Sequence, residues 1–352
     1  MRVWIWLILV AVCLPFAFAG AAAGADQKPT VTRIDPPQFG FFSKEVDYKG
    51  IPIKAHAVVD DQALIEAYDR LDLMLRHMPD AVSNMVTEGV ELHIIGKDQG
   101  TSDLPENRTW KGRKYDGDQD IDQRTRGVGG LMVSCGEENL LKLAVDRYRG
   151  RDICIHEFAH TIQMYGLSDD VRAMIRKQYK TSTEAGLWKT AYAATNEGEY
   201  FAETSMWYFG TGGDYGKIDP RPKLGKDWLR EYDRGEYDLI DRIYSGSIPI
   251  HRLKLVTIKA ISPARGKNLR STGDGSVKTN IRFDNRTNET VQVFWIDGDG
   301  KRVPYAVLSP GQKQGQETFV GHVWLVTDAA GKALAVYVPD RRPGIAAIVA
   351  GR

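Results

Sequence analysis

Hydrophobic and polar residues follow two different periods along this chain of 352 residues. Before residue 250, apolar positions recur every three to four residues in several segments, which is the spacing of an amphipathic helix. The predicted helices cover residues 60–78, 138–148, 152–165, 169–180, 196–208 and 226–244. Residues 90–95 alternate and predict a strand. The polar segment 97–126 predicts a long loop, a kind of segment that can also border a binding cleft.

From residue 253 onward, short alternating segments replace the helical pattern. Residues 280–284, 291–296 and 322–326 are such segments, and Gly, Asp and Pro are frequent between them. Several short strands separated by regular turns predict a small β-sandwich. We therefore expect an α+β domain at residues 26–250 and an all-β sandwich domain at residues 253–352.

The first 25 residues have the pattern of a secretory signal peptide. Arg2 precedes an apolar segment at residues 3–19, and a run of small residues follows at 20–25. A positive start, a short apolar core and an Ala-x-Ala end are typical of a cleaved signal. The alternative is a membrane anchor, for which about 17 apolar residues is the lower limit. We expect a secreted or periplasmic protein that has no membrane segment after cleavage.

Export would leave two cysteines, Cys135 and Cys154. An even number of cysteines in an oxidising compartment favours a disulfide. Such a bond would close a loop of about 20 residues and stabilise the fold by roughly 3 kcal/mol in the chain-entropy model. The alternative is a pair of buried free thiols.

A metal-binding pattern lies in the predicted helix at residues 152–165. His156 and His160 are four residues apart, so both imidazoles lie on one helix face and can bind one cation. Glu157 lies beside them, where its carboxylate can reach a metal-bound water. The alternative is a pair of histidines in a core helix. Ile155 and Phe158 argue against it, because they already supply apolar packing.

The third ligand of a catalytic zinc is expected in the predicted helix at residues 196–208, which Thr195 can cap. Glu199 and Glu203 are four residues apart and share a face of this helix. One carboxylate can bind zinc, and the other can accept a hydrogen bond from a ligating histidine. The alternative is that both are surface carboxylates. Aromatic neighbours make the helix mostly buried, so an inward pair of carboxylates needs a cation.

Residues 130–210 resemble the catalytic domain of anthrax toxin lethal factor and its relatives. The resemblance rests on the HEFAH sequence at 156–160 and on the segment YAATNEGEYFAE at 192–203. It implies a zincin-like α+β fold and a zinc metallopeptidase in which Glu199 is the third ligand. Tyr192 stands at the position of a tyrosine that assists catalysis in the family; alternatively it is a packed helix aromatic.

The chain beyond residue 269 resembles the β domain of the von Hippel–Lindau tumour-suppressor protein. Matching segments include FDNRT at 283–287, VFW at 293–295 and GHVWL at 321–325. In that family the β domain binds hydroxyproline in an extended peptide, between aromatic rings and two hydrogen-bonding side chains. The implied pocket residues are Trp295, Tyr305, Thr318, His322 and Trp324. Thr318 replaces the serine of the family, and the alternative is that the tryptophans are core residues and His322 a turn residue.

These features lead to two functional hypotheses. The first is a secreted zinc endopeptidase that acts on protein or peptide, with a β domain that binds Pro- or hydroxyproline-rich chains. The second is a non-catalytic peptide-binding protein with a structural metal site. Glu157 favours the enzyme, because a binding protein needs no general base beside a metal. A zinc hydrolase of non-peptide amides is a third option. The formal net charge is +1, so the chain does not have the excess of basic residues that is typical of a nucleic-acid-binding protein.

Overall fold

A computed structural model describes residues 29–272 and 277–349. The signal peptide predicted at residues 1–25 lies outside this part of the chain. Among the described residues, no helix combines the length and apolar character that a bilayer crossing requires. The protein is mixed α/β, with a β-rich C-terminal region.

The α-helices differ widely in length, from one turn to more than four. They are α1 Asp61–Leu75, α2 Pro79–Glu88, α3 Ile121–Arg124, α4 Glu137–Leu140, α5 Ile153–Thr161, α6 Asp169–Glu184, α7 Glu197–Tyr208, α8 Lys226–Tyr232, α9 Arg234–Tyr244 and α10 Pro263–Gly266. A 3₁₀ turn at Tyr192–Ala194 precedes α7, and a π-helical turn at Ile162–Gly166 continues α5.

The strands belong to one N-terminal sheet, one small hairpin and two C-terminal sheets. They are β1 Thr32–Gln38, β2 Phe42–Tyr48, β3 Ile51–His56, β4 Glu91–Ile95, β5 Lys114–Asp116, β6 Gln119–Asp120, β7 Gly127–Val128, β8 Met132–Gly136, β9 Val256–Thr257, β10 Lys278–Asn285, β11 Val291–Ile296, β12 Arg302–Leu308, β13 Lys313–Phe319, β14 Val323–Asp328, β15 Ala333–Tyr337 and β16 Gly344–Ile348.

The N-terminal sheet has the strand order β1-β2-β3-β4-β8-β7. Strands β3, β4 and β8 run parallel, while β7 pairs antiparallel with β8 at the edge. Helix α5 packs on β8 and β7 on one side and on α7 on the other. Leu92 of β4, Phe158 of α5 and Phe201 of α7 are all fully buried in one core. Helix α5 is therefore held between the sheet and α7.

The C-terminal region consists of two four-stranded sheets, β13-β10-β16-β9 and β12-β11-β14-β15. Phe283 of β10, Val293 of β11, Trp324 of β14 and Ile348 of β16 belong to one core cluster. The two sheets thus face each other across a shared core. The strands predicted from alternation at 280–284, 291–296 and 322–326 fall in β10, β11 and β14.

Two helix predictions are wrong and three helices were not predicted. Residues 138–148 form only the single-turn α4, because Lys142 adopts a positive φ of 53° and the chain then becomes a loop. The segment 226–244 is divided into α8 and α9 at Asp233, whose side chain accepts a hydrogen bond from the Glu236 N–H. Helix α2 and the single-turn helices α3 and α10 had no counterpart among the predicted helices.

Candidate functional site

Helix α5 begins at a well-defined cap. The Asp152 side chain accepts a hydrogen bond from the Ile155 N–H, and Arg70 donates to the same carboxylate at 2.7 Å. In the first turn of the helix, Cys154 is bonded to Cys135 of β8, with their Cα atoms 5.1 Å apart. The predicted disulfide is therefore present. Cap and disulfide together fix where the histidines of α5 project.

Helix α7 is capped by Asn196, one residue later than the Thr195 cap that the sequence suggested. The Asn196 Oδ1 accepts hydrogen bonds from the N–H groups of Gly198 and Glu199, each at 2.9 Å. Thr195 has helical φ and ψ angles and ends the preceding 3₁₀ turn, so it cannot serve as the cap. This start directs Glu199 and Glu203 toward α5.

Three possible metal-ligand atoms from α5 and α7 form a nearly equilateral triangle. Nε2 of His156 lies 3.2 Å from Nε2 of His160, and Oε2 of Glu199 lies 3.2 and 3.3 Å from these nitrogens. Three ligands bound to one tetrahedral zinc at about 2.0–2.1 Å would be about 3.3 Å apart. The Glu199 Oε2 is buried and has no aligned hydrogen-bond donor within the described residues. The three ligand atoms of His156, His160 and Glu199 therefore fit a zinc ion.

The second glutamate of α7 contacts the other nitrogen of the same histidine. Oε1 of Glu203 lies 3.2 Å from Nδ1 of His156, and Oε2 accepts a hydrogen bond from the Asp214 N–H at 2.5 Å. Burial opposes the charged form of His156, but its interactions with Glu199 and Glu203 outweigh this and raise its pKa to about 10. Burial also opposes ionisation of Glu199, yet the two histidines hold its pKa well below the usual range.

Glu157 lies next to the triangle without belonging to it. One of its carboxylate oxygens lies within 4.8 Å of the ligand atoms of His156 and His160. Burial raises the pKa of Glu157, and the charges of His156 and His160 oppose this effect. The charge of Glu199 adds to it, while the Gly129 N–H donates to the carboxylate and opposes it. A glutamate with a raised pKa beside a metal site suits proton transfer to and from a water molecule.

Tyr192 lies in the 3₁₀ turn before α7, so the alternative of a packed helix aromatic is wrong. Its side chain is 38% exposed. Partial burial raises the pKa of its phenol, and the charges of Glu199 and Glu157 act in the same direction, whereas a hydrogen bond with Arg124 opposes them. The phenol thus interacts with Glu199 and Glu157 of the metal cluster and with Arg124.

The residues proposed for the β-domain pocket also come together. The Trp295 and His322 rings are 5.1 Å apart, and the Tyr305 ring meets Trp324 edge-on at 4.8 Å. Thr318 lies between them, with Oγ1 2.9 Å from Nε1 of Trp324 and 3.2 Å from Nδ1 of His322. Thr318 and Trp324 are buried, whereas Tyr305 is 45% exposed.

These contacts determine what His322 can offer to a ligand. The Trp324 Nε1–H can only donate, so the Thr318 oxygen accepts from it, whereas the donor between Thr318 and Nδ1 of His322 depends on the histidine tautomer. Burial lowers the pKa of His322, which favours the neutral ring. With its proton on Nε2, the neutral ring accepts the Thr318 proton at Nδ1 and presents an N–H donor to a ligand. With its proton on Nδ1, it donates to Thr318 and presents an acceptor instead.

The comparisons with known proteins address the C-terminal region. A family model of the VHL beta domain matches residues 269–338. The C-terminal region therefore contains a VHL-type β domain. A solved structure of a protein from Eubacterium rectale, determined by NMR, is also similar, with 18% identity, 22% of this chain and 81% of that chain covered, and a TM-score of 0.16. No curated protein matches the chain. The resemblance of residues 130–210 to lethal factor finds no support in these comparisons and stays a prediction.

Sequence reasoning missed three residues that contact the metal cluster or its ligands. Gly129 donates to Glu157, Asp214 donates to Glu203, and Arg124 contacts Tyr192. The run Gly-Val-Gly-Gly at 127–130 was a usable signal, because closely spaced glycines mark a close backbone approach. No local pattern pointed to Arg124 or Asp214, which reach the site from distant segments.

Proposed function

We propose that this protein is an exported zinc-dependent endopeptidase, secreted or periplasmic, whose N-terminal domain has a zincin-like fold. The triangle formed by His156, His160 and Glu199, with the Glu157 carboxylate beside it, carries the proposal. Three protein ligands leave a fourth position open, which is the arrangement of a catalytic rather than a structural zinc. A purely structural site gains nothing from an adjacent general base.

The side chains divide the work of peptide hydrolysis among them. Zinc, when bound, polarises the scissile carbonyl and acidifies a water molecule. Glu157 accepts the proton of the attacking water and later donates it to the leaving amine. Tyr192 stays protonated because its pKa is raised, so its hydroxyl can donate a hydrogen bond to the oxyanion of the tetrahedral intermediate. Glu203 orients His156 through Nδ1.

Metal analysis combined with digestion of a broad peptide library tests this proposal. We expect one zinc per chain and cleavage of internal peptide bonds. Glu157→Gln should retain the zinc and lose turnover about 100-fold or more, because the amide keeps the shape without the base. Glu197→Gln on the same helix is the matched control and should cleave normally. Tyr192→Phe should lower kcat by a smaller factor.

The outcomes separate the hypotheses. Hydrolysis by Glu157→Gln at the wild-type rate would contradict the mechanism. Full zinc occupancy with no hydrolysis of any peptide would favour the non-catalytic binding protein. Cleavage of small amides without cleavage of peptides would favour the third option.

A second function is favoured by the β-domain pocket. We propose that Trp295 and Tyr305 pack against a proline ring, with the buried Trp324 supporting Tyr305, and that His322 Nε2–H donates to a hydroxyl on the ring, with Thr318 holding the histidine. Aromatic faces suit a pyrrolidine ring, and a donor that the bound peptide covers without supplying an acceptor disfavours plain proline. Pro- or hydroxyproline-rich proteins are the partners that this chemistry fits.

Calorimetry on the full chain tests the pocket. The Glu157→Gln protein is used so that the peptide stays intact. We expect tighter binding of a hydroxyproline peptide than of its proline version, by about 1 kcal/mol for one hydrogen bond. His322→Ala should abolish the difference, while His251→Ala, which removes an exposed histidine, should preserve it. Equal binding of the two peptides would contradict a hydroxyl-reading pocket.

A further inference from the structure

A cavity rich in arginine adjoins the metal cluster. It has a volume of about 820 Å³ and is lined by Arg124 of α3 and by Arg147, Arg149 and Arg151 of the loop after α4. We call it the arginine groove. Its single acidic lining residue, Asp146, is buried and accepts hydrogen bonds from Asn139 and from the Tyr148 N–H. The groove therefore has a local excess of positive charge in a chain whose formal net charge is only +1.

Two of the four arginines have no acidic partner. Arg124 is paired with Asp116 at 2.7 Å and Arg151 with Asp214 at 3.2 Å. Arg147 donates to the Gln123 carbonyl and the Tyr148 hydroxyl, and Arg149 donates to the Ala144 carbonyl. Neither of the latter two has a carboxylate within ion-pair distance among the described residues. Since a guanidinium has five N–H donors, each keeps donors for a ligand.

Contacts at both ends connect the groove to the metal cluster. At one end, Arg124 contacts the Tyr192 phenol, which lies near Glu199 and Glu157. At the other end, Arg151 pairs with Asp214, whose N–H donates to Glu203, and Glu203 contacts His156. Residues that line the groove thus contact residues of the metal cluster's surroundings, so the groove adjoins the site where a peptide would be cut.

From this arrangement we propose that the arginine groove is a specificity subsite that binds an acidic side chain, Asp or Glu, of the peptide substrate. The inference rests on the proposed peptidase function and names its substrate class. The planar fork of arginine matches a carboxylate in a bidentate geometry. Arg147 and Arg149 supply the free donors, and the backbone carbonyls that they contact hold them in place.

Matched peptides test this subsite on the zinc-loaded protein. A library with amidated C-termini should yield cleavage products enriched in Asp or Glu at one fixed distance from the cut bond. Replacing that residue by Asn or Gln should lower kcat/KM about fivefold for each ion pair lost, the upper range for exposed pairs. Added salt should reduce the preference, because it screens exposed charges.

Charge-matched variants identify the residues that cause the preference. Arg147→Gln and Arg149→Gln, and above all the double variant, should lose the acidic preference while retaining zinc and cleavage of neutral peptides. Arg176→Gln removes an exposed arginine of α6 and should keep the preference. Cleavage without an acidic preference, or a preference that survives in the double variant, would overturn the subsite and leave the peptidase standing.

A binding measurement separates failure of the subsite from failure of the peptidase. Fluorescence anisotropy on the metal-free protein compares an amidated acidic peptide with its amide-substituted version. Tighter binding of the acidic peptide that depends on Arg147 and Arg149 supports the groove even if no peptide is cleaved. Equal binding overturns it. An effect seen only with free C-termini would assign the groove to a terminal carboxylate and contradict the side-chain subsite.

Discussion

Two glutamates on α7 have the same chemistry but different neighbours. Glu199 directs one oxygen at Nε2 of both His156 and His160, whereas Glu203 contacts only Nδ1 of His156 and a backbone N–H. The spacing in the sequence could not decide which of them binds metal, since both share a helix face. In the structure, Glu199 is the one that completes the donor triangle.

This difference predicts graded losses of zinc affinity. Glu199→Ala removes a ligand and should cause the larger loss. Glu203→Gln keeps the metal ligands but disturbs the orientation of His156, so affinity should fall about 10- to 100-fold. Competition with a chromophoric chelator measures both, with Glu197→Gln as the control. Wild-type affinity in Glu203→Gln would contradict an orienting role.

The limits of sequence reasoning are clearest for the residues around Glu157. The two histidines of α5 and the two glutamates of α7 follow helical spacing, so they could be predicted. Asp214 and Arg124 could not, because they meet the site only through the folding of distant segments, and for Gly129 the signal was limited to the glycine run at 127–130. The predicted helix at residues 138–148 ends just before Arg149. In the structure most of this segment is the loop after α4, and the proposed role of Arg149 depends on that loop.

Strand β7 and helix α5 approach each other more closely than side chains would permit. A Cβ atom on Gly129 would lie 2.6 Å from the Cβ of His160 and 3.1 Å from the Glu157 carbonyl oxygen. A Cβ on Gly127 would lie 2.8 Å from the Glu157 side chain. The glycines at 127 and 129 thus allow the edge of the sheet to contact the helix that carries the metal cluster.

Gly129→Ala should consequently disturb both stability and catalysis. The added methyl group has no flexible neighbour to displace, so strand or helix must shift, at about 1–3 kcal/mol of unfolding free energy. The shift also moves the N–H that donates to Glu157, and kcat should fall. Denaturant unfolding and peptide turnover measure the two effects. Gly298→Ala, where the nearest heavy atom would be 3.8 Å away, is the control and should change neither. A fully stable, fully active Gly129→Ala protein would contradict this close packing.

At the scale of the whole molecule, the β domain is attached to the metal-bearing domain by polar contacts. Asn280 donates to Glu88 at 3.0 Å, and Arg282 donates to the Thr87 carbonyl at 2.7 Å. Tyr165, in the π-helical turn after α5, donates to Glu317 of β13. The β domain therefore contacts the end of the helix that carries the histidines. If the β domain binds peptides as proposed, a bound chain would be tethered to the metal-bearing domain, and tethering raises effective concentration to about millimolar for short linkers.

Glu88 should make this contact dependent on pH. Burial raises its pKa from 4.5 to about 7, although Asn280, Arg282 and Arg172 oppose the shift. The Glu88 carboxyl therefore binds its proton more tightly in the folded protein than in the unfolded chain. The resulting stabilisation is complete below about pH 4.5 and is lost as the pH rises through about 7. It amounts to about 3 kcal/mol, an upper value for a buried carboxyl.

Glu88→Gln measures this contribution, because its amide stays neutral and can still accept the hydrogen bond from Asn280. Relative to the wild type, the variant should gain up to about 3 kcal/mol of unfolding free energy between pH 4.5 and pH 8. Urea unfolding at several pH values gives the difference. Glu184→Gln, which changes an exposed glutamate of α6, should show no such trend. If the difference in unfolding free energy between wild type and Glu88→Gln is constant with pH, the pKa of Glu88 does not change on folding. The contact between the domains would then not depend on pH through Glu88.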